Sequence, residues 1–158
     1  MIQRIQSVFL FLAIIAVILL AFFPLATFYS QTGIFVLKVY ELESITPGTE
    51  IPFIPWIFAP LAVTALVVLI LNVIALLSYK NRIRQIKLTQ VSILLNILFI
   101  VGLMFYYVPT IEENTSTTVE YTESIGIYLP LISLVFTLIA QHFIKKDEKL
   151  VRSVDRLR

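Results

Sequence analysis

Four apolar runs, each free of charged residues, constrain this chain more than any other feature. They cover roughly Ser7–Phe28, Trp56–Ser78, Leu88–Val108 and Ile125–Ile144. Each supplies about the 20 residues with which an α-helix crosses the hydrocarbon of a bilayer. A water-soluble fold of 158 residues has no interior large enough to hide them, because 59% of the chain is hydrophobic and 14% is charged, against about 25% charged in an ordinary soluble domain. Lipid removes that difficulty by replacing water as the solvent for the outer faces. The expected fold is therefore an all-α membrane protein: one domain over 1–158, a four-helix transmembrane bundle running up-down-up-down.

The loops between the runs segregate charge by sign. Eleven of the twelve basic residues (Arg4, Lys80, Arg82, Arg84, Lys87 and the tail residues Lys145, Lys146, Lys149, Arg152, Arg156 and Arg158) fall on one side of a four-span arrangement, and Lys38 falls on the other. Glu41, Glu43, Glu50, Glu112, Glu113, Glu120 and Glu123 lie with Lys38. Short cationic loops stay in the cytoplasm. Both termini and the 79–87 loop are therefore expected inside, and the 29–55 and 109–124 loops outside. Orientation and anionic lipid explain these cations, so nucleic acid is not an expected partner. Arg4 ahead of an apolar run resembles a secretory signal. The run outlasts an h-region of about 7–15 residues and no small-x-small site follows, so it is expected to remain as a membrane helix.

All seven prolines fall in the outward halves of the spans or in the outward loops, so the outer ends should bend and the third helix should stop before Pro109. The short inner loop makes the second and third helices antiparallel neighbours. Gly33–Glu43 is rich in β-branched and aromatic residues, which suits a strand. Thr46-Pro47-Gly48-Thr49 is a turn, and Val119–Thr122 alternates with a period of two. Pairing of the two loop segments would satisfy their backbone groups and make a small outward β-cap; irregular loops lying on headgroups are the rival reading. The tail 145–158 continues the fourth helix as an amphipathic segment, with Leu150, Val151, Val154 and Leu157 on one face and Glu148 four residues from Arg152. Membrane lipid is its expected contact, and a cytoplasmic partner is the alternative.

No span contains a charged residue, which argues against ion-coupled transport, proton relays and voltage sensing. The intramembrane polar residues are neutral. Asn72 and Asn96 sit at nearly the same depth, Thr137 reaches a similar level, and Ser92 is one turn from Asn96. An amide facing lipid would lack partners, so these four side chains should point inward and clasp the helices; a lining for a small ligand is the alternative. Ala59, Ala62 and Ala65 permit close approach on the second helix. His142 is the single histidine and there is no cysteine. A metal site would need further ligands of those kinds, and the outward glutamates lack EF-hand spacing. Asn114-Thr115-Ser116 matches a glycosylation acceptor. No phosphate loop, nucleophile elbow or catalytic triad is present. Neither a catalytic residue, a cofactor nor a metal is expected.

The two ends of the chain are distinctive together. Met1-Ile2-Gln3-Arg4-Ile5-Gln6 runs straight into an apolar helix, and the chain finishes Asp147-Glu148-Lys149-Leu150-Val151-Arg152-Ser153-Val154-Asp155-Arg156-Leu157-Arg158. With four spans between, they resemble a domain-of-unknown-function family of small integral membrane proteins from Bacteroidota. The resemblance covers essentially the whole chain. It implies an inner-membrane location and four spans, and it supplies no catalytic residue. A looser likeness to claudin-type proteins rests on architecture alone. The expected role is non-enzymatic: an accessory or scaffold subunit for a membrane or envelope partner. The alternative is a lipid- or small-hydrophobe-binding protein or passive transporter using an inter-helix cleft.

Overall fold

The computed structural model describes residues 2–30, 33–49, 53–79, 81–115 and 122–155. Four helical rods and a small antiparallel sheet make up the fold. The first rod is α1 (Ile2–Leu19). The second is α2 (Ala59–Leu77), led in by a 3-10 turn over Pro55–Phe58. The third joins α3 (Arg82–Gly102), a π-turn over Leu103–Tyr107, and α4 (Val108–Asn114); the fourth is α5 (Tyr128–Asp155) after a short 3-10 turn. They pack in a ring, with α1 and α3 each against both α2 and α5.

Among the described residues, three helices are long and apolar enough to cross a membrane: Trp56–Leu77, Arg82–Asn114 and Ile125–Val151. The first is not, which corrects the expected span 7–28. Its apolar helical stretch is Ile5–Leu19, about 22 Å long, against about 30 Å of hydrocarbon. The helix ends in a hydrogen-bonded turn in which Phe22 and Phe23 donate to the Leu19 carbonyl. Pro24 has no N–H to extend it, and the remainder of the run enters the sheet. The third helix, expected to stop before Pro109, continues to Asn114. A π-turn makes this possible. Val108 donates five residues back to Leu103, shifting the ladder by one residue just ahead of the proline, so no i−4 bond is demanded of its ring nitrogen. Pro60 and Pro130 lie in first turns, where no N–H is needed. Asn81 caps α3 by accepting from the Arg84 N–H at 3.1 Å.

The sheet has the order β3-β2-β1-β4, with β1 at Ala26–Tyr29, β2 at Ile34–Leu37, β3 at Leu42–Ser44 and β4 at Thr122–Glu123. The stretch 33–43, expected as one strand, is a hairpin: Leu37 pairs with Leu42, and the Lys38 N–H donates to the Glu41 carbonyl. The Lys38 ammonium reaches across the reversal to Glu43 at 2.5 Å and Glu41 at 3.9 Å. The Glu43 bond holds the Lys38 pKa above the ordinary lysine value, against a smaller opposing effect of desolvation. Gly48 takes φ +84 in the turn after Pro47, the conformation a type II turn requires there. Of the expected second strand, Val119–Tyr121 lies outside the described residues; Thr122 and Glu123 pair with Thr27 and Ala26.

Alternation gives the sheet one buried face: Ala26, Phe28, Phe35, Leu37 and Leu42. That face closes over one end of the bundle, in a single core with Val17, Leu20, Phe58, Leu61, Tyr107 and Ile111. The sheet is stitched to the start of the fourth rod where the Gly126 N–H donates to the Pro24 carbonyl at 3.0 Å. A Cβ at Gly126 would stand 2.2 Å from that oxygen, so only glycine fits this seam.

Candidate functional site

Away from the sheet, the bundle is apolar outside and polar inside. Val91, Leu94, Leu98 and Val101 on the third rod and Leu131, Val135 and Leu138 on the fourth are exposed. The described buried side chains of α3 are Gln85, Thr89, Ser92, Asn96 and Phe99. This inverts the pattern of a helix packed in water. An outer face of this kind suits hydrocarbon, and the inward polar groups find partners on neighbouring helices.

The partners define a column. Ser92 donates to the Asn72 Oδ1 at 2.8 Å, joining α3 to α2. Asn96 donates to the Ser133 hydroxyl at 3.2 Å, joining α3 to α5. Toward the tail end, Gln141 donates to the Thr89 hydroxyl at 3.4 Å, and Thr89 in turn donates to the Gln85 and Ile86 carbonyls. At the foot, Gln6 of α1 donates to the Asp147 carboxylate at 3.3 Å. The column rises from Asp147 to Ser133 on one helix, 14 residues or about 21 Å, and its members are at most 8% exposed.

Of the four residues read as a clasp, Asn72 and Ser92 meet directly. Asn96 bonds Ser133 instead of Asn72. Thr137 turns back to the Ser133 carbonyl of its own helix, the usual way a buried threonine satisfies its hydroxyl within a helix. Gln6, Gln85, Thr89, Ser133, Gln141 and Asp147 were not singled out from the sequence. Their spacing held the signal: polar residues at 85, 89, 92 and 96 on one helix and 133, 137 and 141 on another recur every three or four positions, which marks one face.

The tail is helical to Asp155, with Lys145, Lys146 and Lys149 exposed. The Arg152 side chain, Arg156 and Arg158 lie outside the described residues. Asp147, expected among these solvated charges, is 6% exposed, because it falls one turn beyond the buried Ile144 and faces α1. His142 is exposed, its ring edge-on to Phe143 at 5.9 Å. Asn114 donates to the Thr110 carbonyl, and Ser116 of the acceptor motif lies outside the described residues. Among the described residues no three His, Cys, Asp or Glu side chains gather as a metal-binding group.

A second feature is a groove of about 490 Å³ between α1, α2 and the hairpin, lined by Val17, Ala21, Tyr40, Ala62, Ala65 and Leu69 among others. Ala62 and Ala65 are two of the regularly spaced alanines of α2; rather than drawing a helix close, they leave this space. Trp56, 81% exposed, and Tyr79 stand at opposite ends of the second rod. Amphipathic rings favour both interfaces of a bilayer.

Helices with apolar exteriors around a polar interior, closed at one end by a sheet, define a small membrane-type helical bundle. The chain belongs to the DUF4293 family, a domain of unknown function, whose family model matches residues 2–157. Comparison with curated proteins finds none that matches.

Proposed function

We propose that this chain is a multi-pass protein of the bacterial inner membrane, its four rods running up-down-up-down with both termini in the cytoplasm, and that it acts there as a non-enzymatic accessory or scaffold subunit for a membrane or envelope partner. The observation that carries the reading is the assignment of the buried polar groups. They are used between helices, as in Ser92–Asn72 and Asn96–Ser133, which fixes the register of a rigid body. The features left facing outward suit contact: the exposed Lys145, Lys146 and Lys149 at one end and the outer sheet edge at the other. The alternation of direction is supported by the pairings Tyr107–Ile57 with Ser92–Asn72, and Gln6–Asp147 with Phe9–Phe143, in which residue numbers rise on one helix as they fall on its neighbour. The first rod is shorter than the hydrocarbon is thick, and in this reading the bilayer thins locally to match it. Cytoplasmic termini follow from the basic tail and the acidic sheet end.

The test is extraction of the native membrane in a mild detergent, followed by quantification of what remains bound. A single protein retained in fixed ratio, and lost when Lys145, Lys146 and Lys149 are replaced by Glu, supports the subunit reading; no protein in fixed ratio contradicts it. The groove beside Ala62 and Ala65 favours a second reading. Its lining is apolar and its volume suits a lipid acyl segment, so a lipid-binding protein or passive transporter would retain lipid through the same purification. An Ala65→Phe variant that fills the groove would then release it.

A further inference from the structure

The groove between α1, α2 and the hairpin has two unlike ends. Along α2 it runs from Ala62 to Leu69, about 10 Å, and Val17 and Ala21 wall it on the α1 side. Every side chain lining it is apolar except for the hydroxyl of Tyr40. Tyr40 marks the other end. The Lys38 N–H donates to the Glu41 carbonyl, so Val39 and Tyr40 form the tip of the hairpin and Lys38 and Glu41 flank it. The hairpin stands where α1 has stopped, so the apolar groove opens at a charged rim. The Lys38 ammonium bonds Glu43 at 2.5 Å and lies 3.9 Å from Glu41. The Glu43 hydrogen bond does most to raise the Lys38 pKa, and Tyr40 and Glu41 add to it by their charge, so the tyrosine oxygen also lies near this cation. The side chains of Glu41 and Glu43 are 50% and 53% exposed, and two carboxylates beside one ammonium leave the rim with an excess of negative charge.

We infer that the groove holds one acyl chain of an aminophospholipid of the phosphatidylethanolamine kind, drawn from the leaflet on the sheet side, with its phosphate on Lys38 and Tyr40 and its ammonium on Glu41 and Glu43. The assignment rests on the lipid-binding reading of this groove and adds the headgroup to it. Charge complementarity selects the occupant. A phosphate accepts from the Lys38 ammonium, which has three donors and uses one of them on Glu43. A primary ammonium donates to the carboxylates in return, and bonds between charged groups are the stronger kind. The zwitterion therefore matches both signs at the rim. An anionic headgroup such as phosphatidylglycerol brings a phosphate to Lys38 but nothing to the two carboxylates, and meets their excess charge. The chain beneath either headgroup fills the same apolar groove, where an empty space would forfeit dispersion contacts along its walls. The groove gives affinity and the rim gives selectivity.

The test reconstitutes the full chain into bilayers of phosphatidylethanolamine and phosphatidylglycerol in equal amounts, with matched acyl chains. The protein is extracted in mild detergent and weighed with its retained lipid by native mass spectrometry. The unmutated protein should retain phosphatidylethanolamine over phosphatidylglycerol by at least about threefold, the scale of a solvent-exposed ion pair. Glu41→Gln with Glu43→Gln leaves Lys38 as the rim's one charge among these three residues. Both positions are exposed, so the fold is kept, and the preference should disappear or pass to phosphatidylglycerol. Ala65→Phe should retain neither lipid. Equal retention of the two lipids by the unmutated protein, or a preference that survives the double variant, overturns the headgroup assignment while the groove stands as a lipid site. No lipid on the unmutated protein, or undiminished lipid on Ala65→Phe, overturns the lipid-binding reading and the inference with it.

Discussion

Replacing Ser92 by Ala removes the hydroxyl that donates to Asn72 and leaves the Asn72 Oδ1 bare in a site where both residues are 0% exposed. The loss should be about 1–2 kcal/mol, since an enclosed acceptor is left without a partner. Replacing Asn72 by Leu should be milder. It removes the acceptor together with the Nδ2 that already lacks a protein partner, and the freed Ser92 hydroxyl can turn back to the carbonyl four residues earlier. The double variant should therefore be more stable than Ser92→Ala alone. The expected coupling is about 1 kcal/mol, between the mean of about 0.6 and the maximum of about 1.7 measured for hydrogen bonds between membrane helices. The assay is a double-mutant cycle by denaturing-detergent titration in mixed micelles, followed by helical circular dichroism. Additivity of the two single changes to within about 0.3–0.5 kcal/mol refutes the reasoning.

Gly126→Ala should destabilise the fold by about 1–3 kcal/mol, because its Cβ meets backbone it cannot displace cheaply. Gly102→Ala, with nothing within 4 Å, should stabilise by about 0.5–1 kcal/mol; equal effects in the same titration would contradict the seam at Pro24. The Lys38 pKa is raised, so the hairpin ion pair contributes fully below the ordinary lysine value of 10.5 and is lost as pH climbs through the higher folded value. Followed upward from neutral pH, the Lys38 side-chain resonances should hold steady to that ordinary value and move only above it; movement within that window speaks against the pair. The single tryptophan, Trp56, should be quenched more strongly by lipid carrying a quencher near the headgroup than by lipid carrying one near the chain terminus. The reverse order would place the start of the second rod too deep.

The second and fourth rods were legible in advance because their apolar runs are long and their prolines lie at first turns. The first run was not. Its composition stays apolar from Ser7 to Phe28, and an apolar run reads alike as helix and as a buried strand; Leu25, Ala26 and Phe28 are apolar because they line the sheet's inner face. The extension past Pro109 depends on a one-residue shift in hydrogen bonding that leaves no compositional trace. Depth put Asn72 level with Asn96, yet Asn72 meets Ser92, one turn away. Asn96 found Ser133 because depth does not say which neighbour a side chain faces. Asp147 looked like one more charge in a solvated tail, and its burial follows only once α1 is seen to pack along α5.

The central claim is that the apolar outer girdle lies in hydrocarbon while the polar residues lie within. Nitroxide labels on single cysteines at Leu94 and Leu98 of the third rod and Val135 of the fourth, in protein reconstituted into bilayers, report this directly. The account predicts that dissolved oxygen relaxes these labels far more than a water-soluble nickel complex does. Greater relaxation by the nickel complex at the three sites would contradict it.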